Sequence, residues 1–531
     1  MSNILKVDKS DNLIIALTDL KNGTVIHSDD HEITLTTDVK QKHKFTTHDV
    51  NTGDILWLYG VPVAKAIEPI QGGAAITTNN VKHYSEEIKF NEEKYEWNEP
   101  DVSEWMNKTF KGVIRDDGRV GTANYWLIIP LVFCENRNVT KLTQILNEQL
   151  GYTNDSLKLF AQQEIGGNTL SHSPVERPFK HIDGIRGIPV SSGCGGAESD
   201  SLTMCDLLAA YADHPNVAGI TVFALGCEKA QINNFQDSLK KINPKFNKPI
   251  VYFKQQEWKN EEKMMQEALI STYNGLKQLP VISRQDVPLS KLKIGVKCGG
   301  SDGFSGISAN PAMGVVSDWL ITLGGASGLA EFPELCGAEA DIVKRCNGIE
   351  LKEKFISLMR NYEKVANFFN TSIADNPSPG NIADGLITDA IKSAGAAKKG
   401  GRAPINGVCD YAEKMPETGL SLVCTPGNDV EAVTGLVAAG CNIVIFSTGL
   451  GTPTGNPIAP VLKISTNSDI AEKLSDMIDF DCGPIISGTP MVDISRQLLN
   501  LVIDTASGNY EVKSDKLAQY DFMQWKRSID L

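Results

Sequence analysis

The sequence predicts an α/β protein with a small β-rich amino-terminal domain and a large carboxyl-terminal region built on mainly parallel sheets. Three observations carry this. Short alternating segments separated by turn signals fill residues 12–81, and from Lys111 onward unbroken apolar runs alternate with helical stretches. The length, 531 residues, leaves room for three or four domains at roughly 150 residues each.

In residues 1–81 the segments NLIIAL, EITLTT, DILWLYGV and AAITT are punctuated by KNG, NTGD and QGG, the pattern of strands joined by tight turns. Residues 82–110 are charged and aromatic without a clear period, so they are expected to form a linker pinned by its tryptophans. Beyond it YWLIIPLVF precedes CENRN, GITVFAL precedes GCEKAQ, LKIGV precedes KCGGSDG, LSLVC precedes TPGND and NIVIFS precedes TGLGTPTGN. Apolar runs of this kind between helices belong to parallel strands covered on both faces, a Rossmann-like arrangement. The polar, proline-bearing QLPVISRQDVPLSK divides an α/β domain at 111–280 from a catalytic α/β domain at 281–531.

A hydrophobic fraction of 41% with 22% charged residues is that of a folded globular chain. Lys plus Arg number 51 against 65 Asp plus Glu, a net charge of −14, and no basic run offers a nucleic acid or an anionic membrane a surface. The start, MSNILKVDKSDN, is polar, and the longest apolar runs fall below the roughly 18 residues that span a bilayer, so a cytoplasmic protein is expected. The expected partner is a small molecule, and the expected assembly a homo-oligomer.

Ligand groups in open α/β sheets gather beyond the carboxyl ends of the strands. Three glycine-rich polar loops fall there. The first, residues 297–314, holds Ser301, Asp302 and Asn310 after Lys297 and Cys298; the second, 375–385, holds Asn376, Ser378 and Asn381; the third, 446–460, holds Thr448, Gly449 and Thr452. Their small hydroxyls and amides suit a polyhydroxylated ligand, and none has the spacing of a phosphate-binding loop. Glu228, Lys297 and Asp302 are the catalytic candidates, and an anionic substrate needs cations such as Lys297, Lys398, Lys399, Arg402 or Lys463. With few histidines beyond residue 110, a metal is expected on Glu331 and Glu334, with His43 from the amino-terminal domain. Cys194, Cys227 and Cys298 each sit against glycine and could ligate an iron–sulfur cluster. Without a local cysteine spacing, they read instead as small hydrophobes at strand ends, and no cluster is expected.

Across these strings the chain resembles the altronate/galactarate dehydratase family of sugar-acid hydro-lyases. The matching pieces include YGVPVAKA, DGRVGTANYW, HPNVAG, LGCEKAQI, KCGGSDGFSGISANPAMG, EFPELCGAE, NPSPGN, DAIKSAGAAKKGG, CTPGNDVEAVTGLVAAGCN and TGLGTPTGNPIAP. The resemblance implies a small domain of the SAF (antifreeze-like, β-clip) type. It also implies a divalent metal, Fe2+ or Mn2+ ahead of Mg2+ or Ca2+, and loss of water from a 2,3-dihydroxy acid to give a 2-keto-3-deoxy acid. Three positions depart from the family pattern. Ala123 stands where the family has arginine, Val190 where it has histidine, and Thr77–Asn80 where many members have an H-x-H-N string. These departures suggest a changed substrate pocket, with two alternatives to sugar-acid dehydration: a lyase on another 2-hydroxy acid such as sulfolactate, or a catalytically silent sugar-acid-binding member.

Overall fold

The computed structural model describes residues 3–28, 31–88, 90, 95–153, 157, 160, 161, 164, 165 and 176–529. Glycine turns keep the strands of the amino-terminal domain short. At Gly73 the backbone is left-handed, and a Cβ would lie 2.2 Å from the Thr34 carbonyl oxygen. Among the described residues eight strands result: β1 (Ile4–Leu5), β2 (Leu13–Ala16), β3 (Val25–Ser28), β4 (His31–Thr34), β5 (Lys44–Thr46), β6 (Ile55–Leu58), β7 (Val61–Ala66) and β8 (Val81–His83). They form antiparallel sheets in the orders β1-β2-β5 and β6-β7-β8, with β3 and β4 as a hairpin. Leu13, Ile15, Leu56, Leu58 and Val63 of this domain share one apolar cluster with Phe304, Ile307, Leu386 and Ile391 of the carboxyl-terminal domain. Burial across that boundary seats the small domain beside the first two polar loops.

The segment after β8 carries Trp105, which is buried and packs on Trp319 with ring centroids 4.6 Å apart. Strand β9 (Thr109–Ile114) pairs antiparallel with β10 (Val120–Gly121) on one side. Then β11 (Tyr125–Pro130), β12 (Gly184–Gly187), β13 (Val217–Ala224) and β14 (Ile250–Lys254) make a parallel sheet in the order β12-β11-β13-β14. All eight residues of β13 are buried, as its unbroken apolar run requires. On the other side of β9 lies β15 (Gln285–Pro288), which returns the chain to the next domain.

The last domain is a seven-stranded parallel sheet of β16 (Lys293–Cys298), β17 (Ala326–Leu329), β18 (Ile405–Cys409), β19 (Gly419–Val423), β20 (Ile443–Thr448), β21 (Val461–Ser465) and β22 (Phe480–Asp481). Their order is β18-β19-β17-β16-β20-β21-β22, with every neighbouring pair parallel. Helices Glu198–Asp213 and Asp429–Ala438 share one core between the two parallel sheets. The architecture is thus the expected α/β region with a β-rich amino-terminal domain.

Candidate active site

Parallel strands β16 and β20 are neighbours, yet the chain leaves β16 toward β17 on one side and β20 toward β21 on the other. This is a topological switch point, where diverging connections open a crevice beyond the strand ends. The loops after the two strands lock together there. Gly299 N donates to the Ser447 carbonyl at 2.9 Å, and Gly449 N donates to the Gly300 carbonyl at 3.1 Å. Glycine is required at 449, since a Cβ would sit 2.4 Å from Asp302 Cγ.

Beside this crossing lies a buried charge cluster. Lys297, at the end of β16, places Nζ 2.6 Å from Glu331 Oε1 and 2.7 Å from Asp429 Oδ1. Lys399 Nζ lies 2.9 Å from Cys298 Sγ, 3.3 Å from Glu331 Oε2 and 3.2 Å from Glu334 Oε2. Lys392 reaches Glu334 Oε1 at 3.5 Å and donates to Asn376. Glu331 follows β17 with a left-handed backbone, φ 71°, which is costly for a residue with a Cβ. Its N–H donates to Thr425 Oγ1 at 2.9 Å, holding the carboxylate in place.

These surroundings drive the groups apart. Burial and the neighbouring Glu334 charge push Glu331 up to about 7. Burial also acts on Glu334, but Lys399, Lys392 and Lys297 outweigh it and hold that carboxyl below the usual range. For Lys297 and Lys399 burial favours the neutral form, yet the surrounding acids and the Cys298 sulfur win, and both are raised. Burial pushes the Cys298 thiol up.

Cys298, Glu331 and Glu334 bring three donor atoms within 4.8 Å of one another, the only such group among the described residues. A thiol with two carboxylates suits a divalent transition metal. Although Lys297 Nζ is close, its angle makes no hydrogen bond to Glu331 Oε1, which is buried without a hydrogen-bond partner. An acceptor left open in this way fits a bound cation. Three ammonium groups already face three carboxylates in the cluster, so a dication added here leaves an excess of positive charge for an anionic ligand.

The structure brings most of the loop candidates to this crevice, in supporting positions. Ser301 Oγ lies 3.5 Å from Cys298 Sγ, and Asn381 Nδ2 donates to the Ser301 carbonyl at 2.8 Å. Ser378 and Asn381 close a capping box on helix Pro379–Ala383. Thr448 Oγ1 accepts from Gly451 N and Thr452 N, shaping the third loop. Asn310 is consumed by the protein, donating to the Gly395 carbonyl and accepting from Ser447 Oγ. Asp302 is fully buried, accepts from Phe304 N and Ser305 Oγ, and meets Lys42 Nζ of the amino-terminal domain at 3.1 Å. Lys42 also holds Asp384 at 2.8 Å, and the fully buried Lys44 donates to the Gly385 carbonyl at 2.7 Å.

Other candidates lie elsewhere. Glu228 follows β13 on the other sheet, where its carboxylate accepts from Gly226 N at 2.6 Å. His43 pairs Nε2 with the Ala383 carbonyl at 3.0 Å, while the group with Glu331 and Glu334 is completed by Cys298. Cys194 and Cys227 belong to the second domain and are exposed, whereas Cys298 is buried in the third, so these three do not gather. Ala123 is in the apolar core at the amino end of β11, with its N–H on Asn216, so it does not line this crevice. Val190 is likewise buried, its backbone clamped by Asn136. Arg402 is held at its backbone N–H, which donates to Asp318, and Lys463 Nζ donates to Gln519.

Lys392 and Asp429 escaped the sequence reading because a lysine in DAIKSAGAAKKGG and an acid after an N-cap asparagine look like ordinary helix chemistry. The seven-residue spacing of Lys392 and Lys399, two helical turns, was a usable signal.

Comparison with known families matches residues 2–84 to the altronate/galactarate dehydratase SAF domain. Residues 112–279 match the D-galactarate dehydratase/altronate hydrolase second domain, and residues 289–529 the D-galactarate/altronate dehydratase carboxyl-terminal domain. The altronate dehydratase of Bacillus subtilis (strain 168) is 33% identical over 516 residues, 96% of each chain. That of Escherichia coli (strain K12) is 32% identical over 508 residues, 95% of each chain. The galactarate dehydratase (L-threo-forming) of Escherichia coli (strain K12) is 28% identical over 519 residues, 96% of this chain and 94% of the other. Among the described residues no helix is long and apolar enough to cross a membrane.

Proposed function

The chain belongs to the D-galactarate/altronate dehydratase family, and from that premise we propose that it is a hydro-lyase acting on a sugar acid. The substrate is an altronate-like aldonate or aldarate, and the product a 2-keto-3-deoxy acid. The observation that carries this reading is the buried cluster of Lys297, Lys399, Glu331, Glu334 and Cys298 at the switch point, rimmed by hydroxyls and amides.

Cys298, Glu331 and Glu334 would hold a divalent metal, iron or manganese by the mixture of sulfur and oxygen donors, which supplies Lewis acidity toward the substrate's carboxylate and hydroxyls. The protein's own groups do the rest. A proton next to a carboxylate is weakly acidic, so its removal needs a base and stabilisation of the enediolate that forms. Asp429 takes that proton: its side chain is 29% exposed, against 0% for Glu331 and 6% for Glu334, so it is the acid of the cluster that a ligand reaches. Lys297 and Lys399, held protonated, face the developing negative charge. The 3-hydroxyl departs as water with a proton from Lys392 Nζ, and the resulting enol ketonises. Asn376 and the loops at Ser301 and Thr448 hold the remaining hydroxyls. Asp302 positions the first loop against the third without touching the substrate.

The test is a panel of aldonates and aldarates with added Fe2+, Mn2+ or Mg2+, followed by detection of the 2-keto-3-deoxy product. Asp429→Asn is expected to lower kcat about 100-fold or more. No product from any member of the panel, with folded and metal-loaded protein, defeats the reading; an Asp429→Asn variant with full turnover removes Asp429 as the base.

A further inference from the structure

Eleven cysteines are free, and eight of them are buried. The three exposed ones, Cys134, Cys194 and Cys227, lie on three loops that meet at a single place, the carboxyl edge of β11 and β13. Here too the chain diverges, from β11 toward β12 on one side and from β13 toward β14 on the other, so the second domain has a switch point of its own. Hydrogen bonds tie the loops together. Phe133 N donates to the Ser192 carbonyl at 2.9 Å, and Lys229 N and Ala230 N donate to the Gly193 carbonyl at 2.8 and 3.1 Å. Lys229 Nζ donates to the Gly196 carbonyl at 2.6 Å. Gly193 is left-handed, and a Cβ on it would strike the Leu131 carbonyl oxygen at 2.3 Å, so the cysteine loops are fitted closely to each other.

We propose that Cys134, Cys194 and Cys227 are three thiolate ligands of an iron–sulfur cluster, at a site separate from Cys298, Glu331 and Glu334. A buried cysteine is explained by packing; an exposed one is not, and three on interlocked loops call for a chemical reason. A single zinc ion with bonds of about 2.3 Å needs its sulfurs within roughly 4 Å. The three exposed sulfurs do not all lie within 4.8 Å of one another as the donors of the Cys298 group do, which is wider than a single zinc ion holds. Three thiolates leave one iron of a four-iron cluster without sulfur from the protein. Glu135 and Glu228 follow Cys134 and Cys227 in the chain, are 0% and 3% exposed, and each has Oε1 buried without a hydrogen-bond partner. They are the groups available to that iron. The thiols lose their protons when iron binds.

The experiment is anaerobic reconstitution of the full chain with equal amounts of ferrous and ferric iron and with sulfide, then measurement of iron, acid-labile sulfide and visible absorption bleached by dithionite. The expected result is iron and labile sulfide in equal amounts, about four of each per chain. Cys134→Ala, Cys194→Ala and Cys227→Ala should each lose most of both, with unchanged thermal melting, while Cys298→Ala keeps them. In the loaded protein these three thiols should also resist alkylation, read residue by residue by mass spectrometry. No labile sulfide, iron without sulfide, or a cluster retained in all three alanine variants overturns the proposal. None of these readouts depends on dehydratase turnover.

Discussion

Replacing Lys42 by methionine removes the ion pair that the amino-terminal domain makes with Asp302. The Asp302 side chain is 0% exposed and Lys42 17%, with 3.1 Å between the charged atoms. At an effective dielectric of about 20, that separation corresponds to an attraction of about 5 kcal/mol, much of it offset by the cost of taking both ions out of water. Loss of the lysine leaves Asp302 as a buried charge short of its partner, so Lys42→Met should destabilise the protein by about 3 kcal/mol. Asp302→Asn removes the charge while keeping an oxygen for Phe304 N and Ser305 Oγ. In the Lys42→Met/Asp302→Asn double variant, the loss should therefore fall short of the sum of the single losses by about 2 kcal/mol. The four proteins are compared by urea unfolding followed through tryptophan fluorescence. A coupling below about 0.5 kcal/mol would show that the two charges do not sense one another and would refute the account.

Lys44 should make stability depend on pH. Burial lowers its folded-state value from 10.5 to about 7, so between those limits the unfolded chain holds a proton that the folded chain has shed, and stability rises with pH. The difference between wild type and Lys44→Met should grow by about 2 kcal/mol from about pH 7 to about pH 9, read from unfolding midpoints; a constant difference would contradict it. Gly449→Ala should cost about 1–3 kcal/mol, since its methyl would press on Asp302 Cγ at 2.4 Å, and an unchanged melting temperature would count against that crowding. Glu334→Gln should lower bound iron or manganese and turnover together, at least tenfold each, as measured by elemental analysis and product formation. Chelation should abolish activity in the wild type, with recovery on adding back metal.

Elements set by local physics were readable from the chain. The runs YWLIIP in β11 and VAGITVFA in β13 became buried parallel strands because an apolar run between helices has nowhere else to be covered. The glycine loops after β16 and β20 announced themselves by composition, and at 449 the reason is the Asp302 side chain, whose Cγ would lie 2.4 Å from a Cβ. The order of strands was hidden. Residues 298 and 447 pair only because β20 returns beside β16, and no local pattern encodes that neighbour. For the same reason Glu228 and Lys297 looked alike, each beside a cysteine at a strand end, although they belong to different sheets. His43 was sought at the metal for its chemistry, whereas the neighbouring lysines at 42 and 44 are what the small domain delivers to the carboxyl-terminal domain.

Those two lysines also constrain how the gene can change. The small domain contributes charges that are buried only when the partner surface is present, so it cannot be exchanged as a free module. A recombination that imports a foreign amino-terminal domain must bring both lysines. It must also meet glycine at 303 and 385, where a Cβ would lie 2.6 Å from Lys42 Cβ and 2.4 Å from the Lys42 carbonyl oxygen. Split into two genes, the same parts would make an obligate pair: each half would expose unmatched charge and apolar surface until it found the other.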